Sequence, residues 1–190
     1  MKAIKLIGAL TLTLAAGGMG LFSPSVNAAT VDKSSQGEVT FTPGTLTLDQ
    51  VPNFDFGTQN ISAENQTYGA QDESVIKVTD LRGSSAGWNL TVTATNLKTS
   101  TNKVLNGAQI TLNGGSTTNT SNETVTATDG VLTPNTAVKV LDAASGQGNG
   151  VSVGTWGQTT GVTLDVPGTA AKSAEQYTAD LTWTLTDAPA

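Results

Sequence analysis

Apolar and polar residues alternate along most of this chain with a period of two. Val39 and Phe41 sit in VTFTPG, Leu46 and Leu48 in TLTLDQ, Phe54 and Phe56 in FDF, and Ile76 and Val78 in VIKV. The stretch GWNLTVTAT places Trp88, Leu90, Val92 and Ala94 on one side and Asn89, Thr91, Thr93 and Thr95 on the other. Ile110/Leu112, Val138/Val140, Val151/Val153, Val162/Leu164/Val166 and Leu181/Trp183/Leu185 continue the theme. In an extended chain successive side chains point to opposite faces, so each segment predicts a half-buried strand. Turn signals separate them: Pro43-Gly44, Asn106-Gly107, Asn113-Gly114, Asp129-Gly130 and Asn149-Gly150. The expected architecture is all-β, an antiparallel β-sandwich or barrel-like domain. Residues 116–123 (STTNTSNE) and 145–150 (SGQGNG) lack an apolar anchor and are expected as long polar loops. The alanine-rich stretch 169–177 predicts a turn of helix or a loop.

Composition sharpens this picture. Threonine makes up about a fifth of the residues after position 28, and its β-branched side chain suits a pleated surface. The chain has no His and no Cys, which excludes Ser-His-Asp and Cys-His catalysis, ordinary zinc or haem sites, iron–sulfur clusters and disulfides. A net charge of −6 with a pI near 4.4 argues against nucleic acid, which rewards a basic face.

The first residues predict a secretory leader. Lys2 and Lys5 open it, the stretch 6–22 is almost free of polar groups, and Val26-Asn27-Ala28 supplies small or slender residues for cleavage. The expected division is a signal peptide over 1–28 and one domain over 29–190. Without Lys2 and Lys5 the balance is seven basic against fifteen acidic side chains, about −8. A chain of this size folds without disulfides. No second apolar span and no LPxTG-like tail follow, so retention on a cell surface is expected to be non-covalent and no transmembrane span is expected after cleavage.

Trp88-Asn89-Leu90 and Trp183-Thr184-Leu185 share a W-x-L spacing about one hundred residues apart. Residues i and i+2 of a strand share a face, so each Trp stands beside its Leu. They are either core fillers or an apolar–aromatic surface that grips a ligand, and alternation alone does not separate the two. Trp156, between Gly154 and Gly157, is the candidate exposed ligand contact; a ring folded back over the core is the other reading. On that expectation Trp156→Ala is a cleaner probe of binding than the W-x-L pair, whose truncation costs about 3–5 kcal/mol if buried.

On these residues the chain resembles the WxL-domain family of Gram-positive cell-surface proteins, as a small single-domain member. The proximal element is Gly87-Trp88-Asn89-Leu90-Thr91-Val92. The distal form Y-x-x-x-L-x-W-x-L-x-x-x-P is met by Tyr177, Leu181, Trp183, Leu185 and Pro189, and 37–62 is similar to that domain's opening. The resemblance implies a WxL cell-wall-binding domain over 29–190, secreted and attached non-covalently to the cell wall. Its implied partners are peptidoglycan, other WxL proteins and a membrane-anchored WxL-interacting protein, and its alternative is a structural assembly subunit that binds other surface proteins.

An enzyme is not expected. Glycan hydrolysis needs two carboxylates across a cleft, whereas Asp72-Glu73, Asp129, Asp142 and Asp187 lie beside turns or on polar strand faces. Asp49, Asp55 and Asp80 are the conceivable calcium ligands, yet no D-x-D-x-D-G loop accompanies them. The chain is therefore expected to use no cofactor and no metal.

Overall fold

The alternation is realised as twelve strands in a computed structural model that describes residues 30–189; the leader expected over 1–28 lies outside the described residues. The strands are β1 (Leu46–Gln50), β2 (Gln66–Gly69), β3 (Ser74–Asp80), β4 (Trp88–Ala94), β5 (Gln109–Leu112) and β6 (Ser116–Asn119). They continue as β7 (Thr126–Ala127), β8 (Gly130–Leu132), β9 (Ala137–Ala143), β10 (Gly150–Trp156), β11 (Val162–Val166) and β12 (Leu181–Thr186). All belong to a unit spanning Phe41–Ala190. Residues 30–40, in a separate unit, are exposed throughout and form no strand.

Every pairing is antiparallel. Three four-stranded sheets result, ordered β1-β3-β10-β6, β2-β11-β5-β8 and β12-β4-β9-β7. The fold is all-β, as expected, and it is not a closed barrel. The first and third sheets pack face to face. A Cβ at Gly154 of β10 would lie 2.9 Å from a Leu141 methyl of β9, so only a glycine admits that leucine.

β3 and β4 alternate without a break between buried and half-buried positions. Ile76 and Val78 meet Leu90, Val92, Val140 and Leu141 in the core. Trp88 is wholly buried, and its Nε1 donates to the Gly148 carbonyl at 3.1 Å. Gly148 has φ +83°, and a Cβ there would stand 2.6 Å from that nitrogen. The turn before β10 therefore needs glycine both for its backbone and for the indole beneath it.

Several expectations are corrected. Residues 116–119 are not loop but β6, paired with β10. A strand at a sheet margin is held by backbone bonds and needs no apolar anchor. Val151 and Val153 are predicted inward, yet both are half-buried while Ser152, Gly154 and Trp156 are buried. The valines marked the wrong phase because the inner face of β10 carries small residues, which make room for Leu141 and the indole. Trp156 itself is 0% exposed, so it is not an exposed ligand contact. It ends β10 opposite Ser74, lies beneath Gly115 and Ala127, and its Nε1 has no hydrogen-bond partner. Phe54 and Phe56 pack on the core from outside any strand. Residues 169–177, by contrast, are loop, one of the two forms expected, with the Lys172 ammonium donating to the carbonyls of Pro167, Gly168 and Ala170.

Candidate functional site

The sheets packed face to face are closed along one side and open along the other. On the closed side the chain passes from β6 to β7, and the Thr117 hydroxyl donates to the Val125 carbonyl at 2.6 Å across that join. On the open side the outermost strands are β1 and β12, each paired on one flank only. Between them runs a groove with two lobes of about 810 and 420 Å³ that share Leu48 and Trp183.

The groove follows from the strand register. Leu48 pairs with Val78, so Leu46 and Leu48 turn the same way as the buried residues of β3. Trp183 and Leu185 pair with Val92 and Leu90, so Leu181, Trp183 and Leu185 turn inward as well. At a sheet margin these five side chains lack neighbours on their far flank and remain half-buried. The Phe54 ring meets Trp183 edge-on, centroids 6.4 Å apart, and steadies the indole.

Charge is confined to the two ends. At one, Arg82 binds Asp80 through Nε at 3.0 Å and Nη2 at 2.8 Å, and donates also to the Gly87 carbonyl at 2.9 Å. Its Nη1 reaches the Asp187 carbonyl at 3.4 Å, so one guanidinium ties the ends of β3 and β12 to the start of β4. Asp80 is 2% exposed, and the Arg82 guanidinium holds its carboxyl below the usual carboxylate range against the opposing effect of burial. At the other end Asp49 accepts from the hydroxyls of Thr79 and Thr47, which lower its pKa. Among the described residues no group of three or more His, Cys, Asp or Glu side chains is placed to hold a metal ion.

The outer face of the third sheet differs in kind. Thr182, Thr184 and Thr186 of β12 lie opposite Thr93, Thr91 and Asn89 of β4, an array of uncharged hydroxyl and amide groups. Lys139 and Asp142 of β9 border it, 3.9 Å apart.

The structure thus brings the two W-x-L elements onto neighbouring strands, with Leu185 directly opposite Leu90, and gives them different environments. Trp88 and Leu90 are core; Trp183 and Leu185 line the groove. Leu181 lines its second lobe. Tyr177 lies outside it, half-buried, with its hydroxyl accepting from the Ser173 amide at 2.9 Å. Pro189 is exposed, one residue past Ala188, whose carbonyl accepts from the Asn89 amide at 2.6 Å. Leu46, Leu48, Phe54 and Arg82 were missed as site residues. The period-two leucines of β1 were visible as a strand, but no sequence signal marks a strand as the last of its sheet.

Fold and groove together define an all-β domain, open between two unpaired sheet margins, with half of a tryptophan-bearing motif at that opening. The chain belongs to the WxL family: the family model described as "WxL domain surface cell wall-binding" matches residues 22–189. No curated protein and no solved structure matches it. The chain is thus a cell-wall-binding surface domain. No helix of the described residues is long and apolar enough to cross a membrane.

Proposed function

We propose that this protein is secreted, attaches non-covalently to peptidoglycan, and works in a multi-protein surface complex. It does so as a binding protein, not as a catalyst. The family match carries the wall attachment. The threonine face of β12 and β4 is the surface that suits it. A protein carrying about −8 is repelled at long range by a wall that bears anionic polymer, with screening over roughly 8 Å at physiological salt. Retention then rests on short-range hydrogen bonds, which uncharged hydroxyls and amides supply to glycan hydroxyls, acetamido groups and peptide amides.

The test is sedimentation with peptidoglycan stripped of protein and anionic polymer. The chain from Ala29 is expected to pellet alone, and 0.5 M NaCl is expected not to release it. Thr91→Glu with Thr184→Glu, both on the outer face, is expected to abolish pelleting without loss of fold by circular dichroism. Release by moderate salt, or full retention of the folded double variant, refutes this assignment.

The alternative, an assembly subunit, is favoured by a separate observation, the groove between β1 and β12. Leu46, Leu48, Leu181, Trp183 and Leu185 turn toward it, and the strands beside it have backbone groups available for pairing. Such a site takes an extended polypeptide by strand addition. The two roles use different surfaces and are compatible: the threonine face holds the wall and the groove holds a protein.

A further inference from the structure

We propose that the groove is filled by the N-terminal arm of a second copy of this chain, residues 38–42. This rests on the reading of the groove as a protein-binding site and names its occupant. The groove is missing one strand of stated character: extended, about five residues long, with apolar side chains at period two on the face turned inward. The chain carries such a segment. Glu38-Val39-Thr40-Phe41-Thr42 alternates at period two and is rich in β-branched and aromatic residues, the composition of a strand. Yet Val39 is 76% exposed and Phe41 86% exposed.

Reversal onto the free flank of β1 in the same chain is disfavoured by the residues between. Gly44 donates to the Leu81 carbonyl at 2.8 Å, and Leu81 donates to Thr45 at 3.0 Å, so the chain is already paired with the end of β3 before β1 begins. A Cβ at Gly44 would stand 2.7 Å from that of Leu81, so the two segments are closely apposed here. In the structure Pro43-Gly44 makes no such reversal, since Gly44 is not among the residues with the positive φ that the tight turns matching strand twist need. Each copy therefore carries an exposed segment of strand-like pattern and a groove between two unpaired sheet margins. Exchange in trans satisfies both.

Phe41 alone removes about 150–250 Å² from water. Val39, the arm backbone and the five groove side chains beneath add to this on both partners, toward the roughly 1,200 Å² of a specific interface. Reciprocal exchange closes a dimer; exchange in one direction extends a chain of copies along a surface.

The chain lacks cysteine, so introduced thiols report contact without background. The protein from Ala29 carrying Phe41→Cys is mixed with a size-tagged copy carrying Leu185→Cys and oxidised. A mixed disulfide between the two is expected. Wild type is expected to associate with rising concentration in analytical ultracentrifugation, and Val39→Asp with Phe41→Asp to sediment as a monomer with an unchanged unfolding midpoint. A wild type that is monomeric to 0.5 mM, with no mixed disulfide, overturns the proposal. So does a disulfide formed only within one chain bearing both cysteines, which would place the arm in its own groove. If wild type stays monomeric while a strand from another surface protein protects Leu185→Cys from alkylation, this inference fails and the protein-binding reading of the groove survives.

Discussion

The two buried tryptophans make a matched pair that isolates one hydrogen bond. Trp88 and Trp156 are both 0% exposed, but Trp88 Nε1 donates to Gly148 at 3.1 Å while Trp156 Nε1 donates to nothing. Replacement by Phe removes the same atoms at both sites, and large-to-small changes of this kind cost a few kcal/mol in lost transfer and cavity formation. At position 88 the change also breaks a bond and leaves the Gly148 carbonyl buried without a donor, adding about 1–3 kcal/mol. At position 156 it deletes a buried donor that has no acceptor, which returns a penalty of similar size. Trp88→Phe is therefore expected to cost at least about 2 kcal/mol more than Trp156→Phe. Urea unfolding followed by far-ultraviolet circular dichroism measures both, since fluorescence changes with the substitution itself. A shared m-value is needed for the midpoints to be compared. Equal costs, or a larger cost at 156, would refute the reasoning and mean that the Trp156 nitrogen has a partner in solution.

Four further outcomes are expected. Trp183→Ala should cost less stability than the roughly 3–5 kcal/mol of a buried Trp→Ala change, because its ring is half-exposed at the groove; thermal unfolding of it beside Trp88→Ala checks this. Gly148→Ala should destabilise by more than the roughly 1–2 kcal/mol of positive φ alone, since its methyl would strike the Trp88 indole, again read by urea midpoint. Asp80, held below its ordinary pKa by Arg82, contributes stability that is fully present above the unfolded value near 4 and lost as pH falls through the folded value. Asp80→Asn should therefore be less stable at pH 7 by about 1.5–3 kcal/mol and should show a shallower loss of stability below pH 4 than wild type. Tyr177→Phe, which removes an acceptor from the Ser173 amide, should cost about 0.5–1.5 kcal/mol in the same assay.

The alternation of β3, β4, β11 and β12 is visible residue by residue in the sequence because side-chain direction in a strand is a local property. The strand class, the turn at Asn106-Gly107, and the family all follow from local pattern and motif. The face that ends up inside does not always follow. On β10 the valines point the wrong way, since the inner face carries Ser152, Gly154 and Trp156, and Gly154 leaves room for Leu141 of β9. Trp156 between glycines has the look of a loop tip, yet it is packed in the core; a Cβ at Gly154 would meet the Leu141 methyls first, whereas one at Gly157 would meet nothing within 4 Å. What only the tertiary structure decided is the strand order. The two W-x-L elements read alike, and both alternate correctly. Pairing places β4 inside its sheet and β12 at its margin, so Trp88 is enclosed on both flanks and Trp183 on one. An identical local pattern thus yields a core residue and a groove residue, because burial depends on neighbours that are distant in sequence.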